Sequence, residues 1–91
     1  MEVKRKNSVL RKFGAAVRRY RRMAALTQEE FADMCDLDRS YVGGVERGER
    51  NLTLLNVIKI CDTLKVNPSE IFAELDKWPK RKRGDLSEAA D

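Results

Sequence analysis

The feature that most limits how this chain can fold is one helix-opening signal that occurs four times. In each copy an apolar residue precedes a Thr, Asp or Asn, and a second apolar residue follows that polar one by four positions. The copies are Leu26-Thr27 with Phe31, Leu37-Asp38 with Val42, Leu52-Thr53 with Val57, and Val66-Asn67 with Ile71. The polar side chain accepts a bond from an N–H that the first helical turn leaves free, and the two apolar residues pack across that turn. Glu30 and Glu70 stand where a capping box needs them, and Pro68 falls on a first helical position, where its missing N–H is harmless.

The spacing therefore predicts helices opening at Thr27, Asp38, Thr53 and Asn67. An earlier helix is expected from about Ser8 to Ala24, because Leu10, Phe13, Val17 and Tyr20 fall on one helical stripe. No window alternates as a half-buried strand does, so the expected fold is all-α with five helices. At 91 residues the chain has room for one modest core. Residues 1–7 read as a flexible basic arm, 8–76 as the folded domain, and 77–91 as a disordered charged tail. That tail holds Trp78, Pro79, the run Lys80 to Arg83, and Gly84.

Charge is distributed unevenly. Residues 1–25 carry nine basic side chains and one acid, whereas 26–75 carry five and ten. A basic flank beside a mildly acidic body suits a polyanion, since Lys and Arg near phosphates release condensed counterions; a solvated first helix is the plainer reading. Cys35 and Cys61 lie inside apolar patterns without Cys-x-x-Cys spacing, which reads as two reduced thiols in a reducing cytoplasm. No apolar run has the length of a membrane span, and the first ten residues lack the apolar stretch of a secretory signal.

The second and third helices open eleven residues apart, at Thr27 and Asp38. That is helix-turn-helix spacing, and Gly48 stands where a left-handed residue would close the third helix. On this helix Val42 and Val45 look inward, leaving a small, polar, basic outer face of Arg39, Ser40, Gly43 and Arg47. Such a face fits a major groove, where Arg forks onto guanine and Ser bonds several base edges. Gly43 and Gly44 fit two uses, close approach to bases or tight packing against the second helix. Arg21 falls on the buried stripe of the first helix and needs a partner, and Glu46 is placed to be one, which predicts a structural ion pair between them.

The stretch LTQEEFADMCDLDRSYVGGVERGERNLTLLNVIKICDTLKVNPSEIF, with the helix before it, resembles the Cro and phage-repressor class of helix-turn-helix regulators. The resemblance implies a compact, five-helix, lambda-repressor-like domain. Gln28 opens the second helix, Ala32 lies at the crossing, and the paired Arg and Glu of the class fall on Arg21 and Glu46. Asp36 replaces the turn glycine that is common in the class, and Asp tolerates a left-handed backbone. Within the class, LDRSYVGGVERGERNLTL is similar to controller proteins of restriction-modification systems, which implies a dimer on paired half-sites at its own promoter.

The resemblance implies base contacts from Arg39, Ser40, Tyr41 and Gly43, and phosphate contacts from Gln28, Arg50, Asn51 and Thr53. Gln28 and Thr53 also lie at helix N-termini, which favour anions. Arg47 fits a base, a phosphate or solvent; Tyr41 fits a base or partial core packing; Thr53 fits a cap alone. Because one helix reads few base pairs, a two-fold homodimer on double-stranded DNA is expected. On the fourth helix Leu54, Val57, Ile58, Cys61 and Leu64 read as buried. Leu55, Ile60 and Phe72 are left for the interface or to finish the core.

The other function classes fit less well. With no His, no metal cluster and no Gly-rich phosphate loop, catalytic residues, metal, cofactor and small-molecule ligand are all expected to be absent. The alternative is an antitoxin or another protein-interaction module on the same fold. Neighbouring genes separate the two: a nuclease and methyltransferase favour the controller, a small toxin gene the antitoxin.

Overall fold

The computed structural model of the chain describes residues 2–77. Its helices are α1 (Glu2–Met23), α2 (Gln28–Cys35), α3 (Arg39–Glu46), α4 (Leu54–Leu64) and α5 (Pro68–Phe72), followed by a 3₁₀ turn, Ala73–Lys77. The tail expected to be disordered lies, from Trp78 onward, outside the described residues.

Three of the four opening signals act through their own side chains. Thr27 Oγ1 accepts from Glu30 N at 3.0 Å, an Asp38 carboxylate oxygen from Ser40 N at 3.1 Å, and Thr53 Oγ1 from Asn56 N at 3.1 Å. At Asn67 the bond runs the other way, its N–H donating to Glu70 Oε1 at 2.8 Å. Helix ends follow a second rule. Ala25, Asp36 and Lys65 take the left-handed conformation, with φ of 61°, 58° and 59°. The next N–H in each case reaches back five residues: Leu26 N to Arg21 O, Leu37 N to Ala32 O, and Val66 N to Cys61 O. Leu26, Leu37 and Val66 thus close one helix and, as the residue before the cap, open the next; all three pack against the core.

The link from α3 to α4 departs from this pattern. Gly48 takes the left-handed position with φ 78°, and Glu49 N bonds Gly44 O at 2.8 Å, but Glu49, Arg50 and Asn51 intervene before Leu52 and its cap Thr53. Asp36 at the α2–α3 turn holds a shape that most side chains resist, which Asp tolerates.

Two expectations need correction. The polar residues read as a flexible arm continue α1 back to Glu2. Glu, Lys and Arg are good helix formers, no Gly or Pro interrupts them, and extending an existing helix requires no new nucleus. On α4 the buried face is Val57, Ile60, Cys61 and Leu64, while Leu54, Leu55 and Ile58 are exposed. Ile60, left for the interface or to finish the core, is 0% exposed and belongs to the core. The spacing 57, 60, 61, 64 is itself one helical stripe, and Leu54 lies a turn before the first residue that the neighbouring helices cover.

The core joins Phe13, Ala16 and Val17 of α1 to Phe31, Ala32 and Cys35 of α2, Val42 and Val45 of α3, the α4 stripe, and Ile71. Its tightest backbone approach is at Gly14. A Cβ there would stand 2.2 Å from Val45 O and 2.7 Å from Glu46 O, so only glycine lets α1 cross the end of α3 at this distance. No helix among the described residues is long and apolar enough to cross a membrane.

Candidate nucleic-acid interface

The position of α3 is fixed from its inner side. Val42 and Val45 are buried, and Glu46 lies beneath the helix end as the acceptor of a small network. Arg21 Nε donates to Glu46 Oε2 at 2.7 Å and Arg21 Nη2 to Oε1 at 3.0 Å, a forked pair whose side chains are 9% and 1% exposed. Arg21 Nη1 also donates to Leu26 O at 2.8 Å, tying the same guanidinium to the end of α1. Gln28 Nε2 donates to Glu46 Oε1 at 3.0 Å, and Arg18 Nε stands 3.9 Å from that oxygen. Among the described residues no buried side-chain polar atom lacks a partner, so the buried charges are hydrogen-bonded as well as paired.

With the inner side held, Arg39 and Ser40 are exposed on the outer side near the N-terminus of α3. Ser40 gives both its N–H and its hydroxyl to the Asp38 carboxylate. These bonds, that from the hydroxyl first, hold the Asp38 carboxyl below the usual carboxylate range. Two turns further on, Arg47 Nε donates to Glu49 Oε2 at 3.0 Å on the open surface. That bond lowers the Glu49 carboxyl and raises the Arg47 guanidinium from their ordinary values.

The paired glycines have a use that neither sequence reading named. Both are buried, beneath arginines of their own helix end and the following loop. A Cβ on Gly43 would meet Arg47 Nη1 at 3.1 Å, and one on Gly44 would meet Arg50 Cγ at 3.0 Å. Their missing side chains leave room for the arginine stems to lie along α3.

The structure distributes the remaining site residues unevenly. Gln28 is half-buried with its side-chain amide turned inward to Glu46. Thr53 is exposed and caps α4. Asn51 is exposed on the α3–α4 loop. Tyr41 is half-buried against the core, where its hydroxyl accepts from Asn56 Nδ2 at 3.1 Å. Phe72 lies with its ring centroid 6.0 Å from that of Phe13, beside a groove that Leu54 also lines. Leu55 is 76% exposed.

Sequence reasoning missed Gly14, Arg18 and Asn56. A glycine between Phe13 and Ala15 in an otherwise strong helix was a signal for the first; the other two depend on contacts between distant segments.

Comparison with known proteins places the fold in a family. The helix-turn-helix family matches residues 17–71. The control protein C.MunI of Mycoplasma sp is 38% identical over 72 residues, covering 78% of this chain and 97% of that protein. Control protein C.BamHI of Bacillus amyloliquefaciens is 39% identical over 67 residues, covering 72% and 83%. Among solved structures, the restriction-modification controller protein C.AhdI from Aeromonas hydrophila superposes with a TM-score of 0.68 at 49% identity. It covers 69% of this chain and 96% of that one.

Proposed function

Because this chain belongs to the helix-turn-helix family of DNA-binding transcriptional regulators, we propose that it is the controller of a restriction-modification system, a homodimer that binds paired half-sites at its own promoter. The observation that carries the reading is the division of α3 into two sides. Val42, Val45 and the Glu46 network hold one, while Arg39 and Ser40 are exposed on the other. In the major groove Arg39 forks onto a guanine, Ser40, Tyr41 and Arg47 meet neighbouring base edges, and Gly43 offers no bulk against them.

Phosphates meet the N–H groups at the start of α2 beside Gln28, the Thr53 hydroxyl, Asn51, and the guanidinium edge of Arg50. Thr53 Oγ accepts its capping bond and keeps its own proton to donate. A second copy of the chain packs on the apolar surface of α4 and α5, through Leu54, Leu55, Ile58 and Phe72, all exposed in one protomer. This surface replaces one that included Ile60. Two copies also supply the two recognition helices that paired half-sites need. No catalytic step, cofactor or small-molecule ligand enters the proposal, and the site of action is the DNA in the cytoplasm.

The test is a gel shift on the DNA upstream of the chain's own gene, at moderate salt with random-sequence competitor. A retained complex with two protected half-sites on one face of the duplex is expected. Binding no tighter than to the competitor would overturn the proposal.

A further inference from the structure

Arg50 and Tyr41 meet in a contact that the DNA-binding roles given above do not use. The Arg50 stem passes so close over Gly44 that a methyl group there would stand 3.0 Å from Cγ and 3.1 Å from Nε. The guanidinium then reaches the Tyr41 ring, its central carbon 5.8 Å from the ring centroid, within cation–π range. The Tyr41 hydroxyl accepts from Asn56 Nδ2 at 3.1 Å, while the half-buried ring packs on the core. Asn56 itself stands on a fixed base, since its backbone N–H is bound by the Thr53 cap at 3.1 Å. Tyr41 is therefore held by the core, the guanidinium and the amide, the last two from beyond α3.

We propose that Asn56 and Arg50 are positioning residues that set the orientation of Tyr41 beside the reading face, so that discrimination among the bases near Tyr41 depends on two side chains outside α3. Gly44 belongs to the same device, because it leaves the channel in which the Arg50 stem lies. The brace also links the first turn of α4, whose Leu54 and Leu55 face outward, to the helix that reads DNA. The inference rests on the reading of α3 as the recognition helix.

The test uses the full chain and two measurements. The first needs no DNA: the side-chain amide resonances of Asn56 in a nitrogen-15 spectrum should move on Tyr41→Phe, which removes only the hydroxyl. The second is the ratio of affinities for the upstream duplex and for the same duplex changed at single base pairs, a ratio that cancels uniform effects of charge.

Tyr41→Phe and Asn56→Leu should each lower that ratio at the same base pairs, by about three- to tenfold, the range of one net hydrogen bond. The double variant should be no worse than the poorer single one. Asn56→Asp should restore the ratio, because its carboxylate accepts the proton that the tyrosine hydroxyl can donate. Additive losses would place the hydroxyl on DNA itself and overturn the proposal, as would an Asn56→Leu variant that discriminates like the wild type. A wild-type chain that discriminates nothing would remove the reading of α3, and with it the purpose of the brace. The amide shift still decides separately whether the brace exists, and its absence would show that it does not.

Discussion

Removing Arg21 should cost this domain a large part of its stability. In the folded chain the Glu46 carboxylate is 1% exposed and takes two charge-assisted bonds from Arg21, at 2.7 and 3.0 Å. Arg21→Ala leaves it with the neutral amide of Gln28 and with Arg18, whose Nε stands 3.9 Å away on a side chain that is half in water. Stranding one partner of a buried pair costs about 3–5 kcal/mol. A domain of this length holds roughly 4–11 kcal/mol in all, at about 0.05–0.15 kcal/mol per residue. The variant is therefore expected to lose about a quarter or more of its stability and to approach the edge of folding.

Urea titration of the full chain followed by circular dichroism reads this directly. With a slope of about 1–3 kcal/mol per molar, the midpoint should fall by at least about 1 M. Glu46→Ala strands the opposite charge and should do the same. Arg21→Met with Glu46→Leu keeps volume and removes both charges, so it should recover more than half of either loss. Arg18→Gln should change stability by less than about 1 kcal/mol, since that arginine is exposed. A loss below about 1 kcal/mol for Arg21→Ala, or a double variant that loses the sum of the two alanine variants, would refute the argument.

Gly14→Ala should destabilise by about 1–3 kcal/mol in the same titration, although alanine is the better helix former, because its methyl group meets backbone rather than a yielding side chain; an unchanged or raised midpoint would refute the close crossing. Arg39→Ala should lose about 1–3 kcal/mol of binding and relax preference at one base pair, and equal weakening on every sequence would make Arg39 a phosphate contact instead. Leu55→Glu should shift the chain toward monomer in sedimentation at unchanged helix content, and an unaltered dimer would place the interface elsewhere. Burial holds the Cys35 and Cys61 thiols above the ordinary thiol range. The folded chain thus keeps protons that the unfolded chain gives up, so the contribution is full below the unfolded thiol value of about 8.5 and is lost as pH rises past it. Urea midpoints should fall more steeply above that pH in the wild type than in Cys35→Ala/Cys61→Ala, and parallel slopes would count against the argument.

What could be read before folding was what neighbours in sequence decide. The caps at Thr27, Asp38 and Thr53 act within three residues, so helix starts and the order of elements were legible. So was the inward face of α3, where Val42 and Val45 are the apolar choices in a polar helix. On α4 the reading failed because Leu54, Leu55, Val57, Ile58, Ile60, Cys61 and Leu64 surround much of the helix. Periodicity then shows that a buried stripe exists without fixing its phase, which the packing of α1, α2 and α5 sets. The arginine stems over Gly43 and Gly44, and the bond from Asn56 to Tyr41, join residues that only the folded chain brings together. The extension of α1 through residues 2–7 reflects propagation from a packed helix, which polarity alone does not reveal.

The joints at Leu26, Leu37 and Val66 carry a consequence for how chain length can vary. Each places one residue in two successive helices' ends, so inserting or deleting a single position there would turn the following helix by about 100° and carry its apolar stripe out of the core. No residue of the segment Glu49 to Asn51 serves two helix ends: Glu49 N completes the closure of α3, and α4 opens afresh at Thr53. A change of length there would leave the α4 stripe in phase but would move Arg50 off Gly44 and Tyr41, so its effect would fall beside the surface proposed to meet DNA. The scaffold is locked in register at its joints, while a change of length in this loop would act on the proposed reading of DNA.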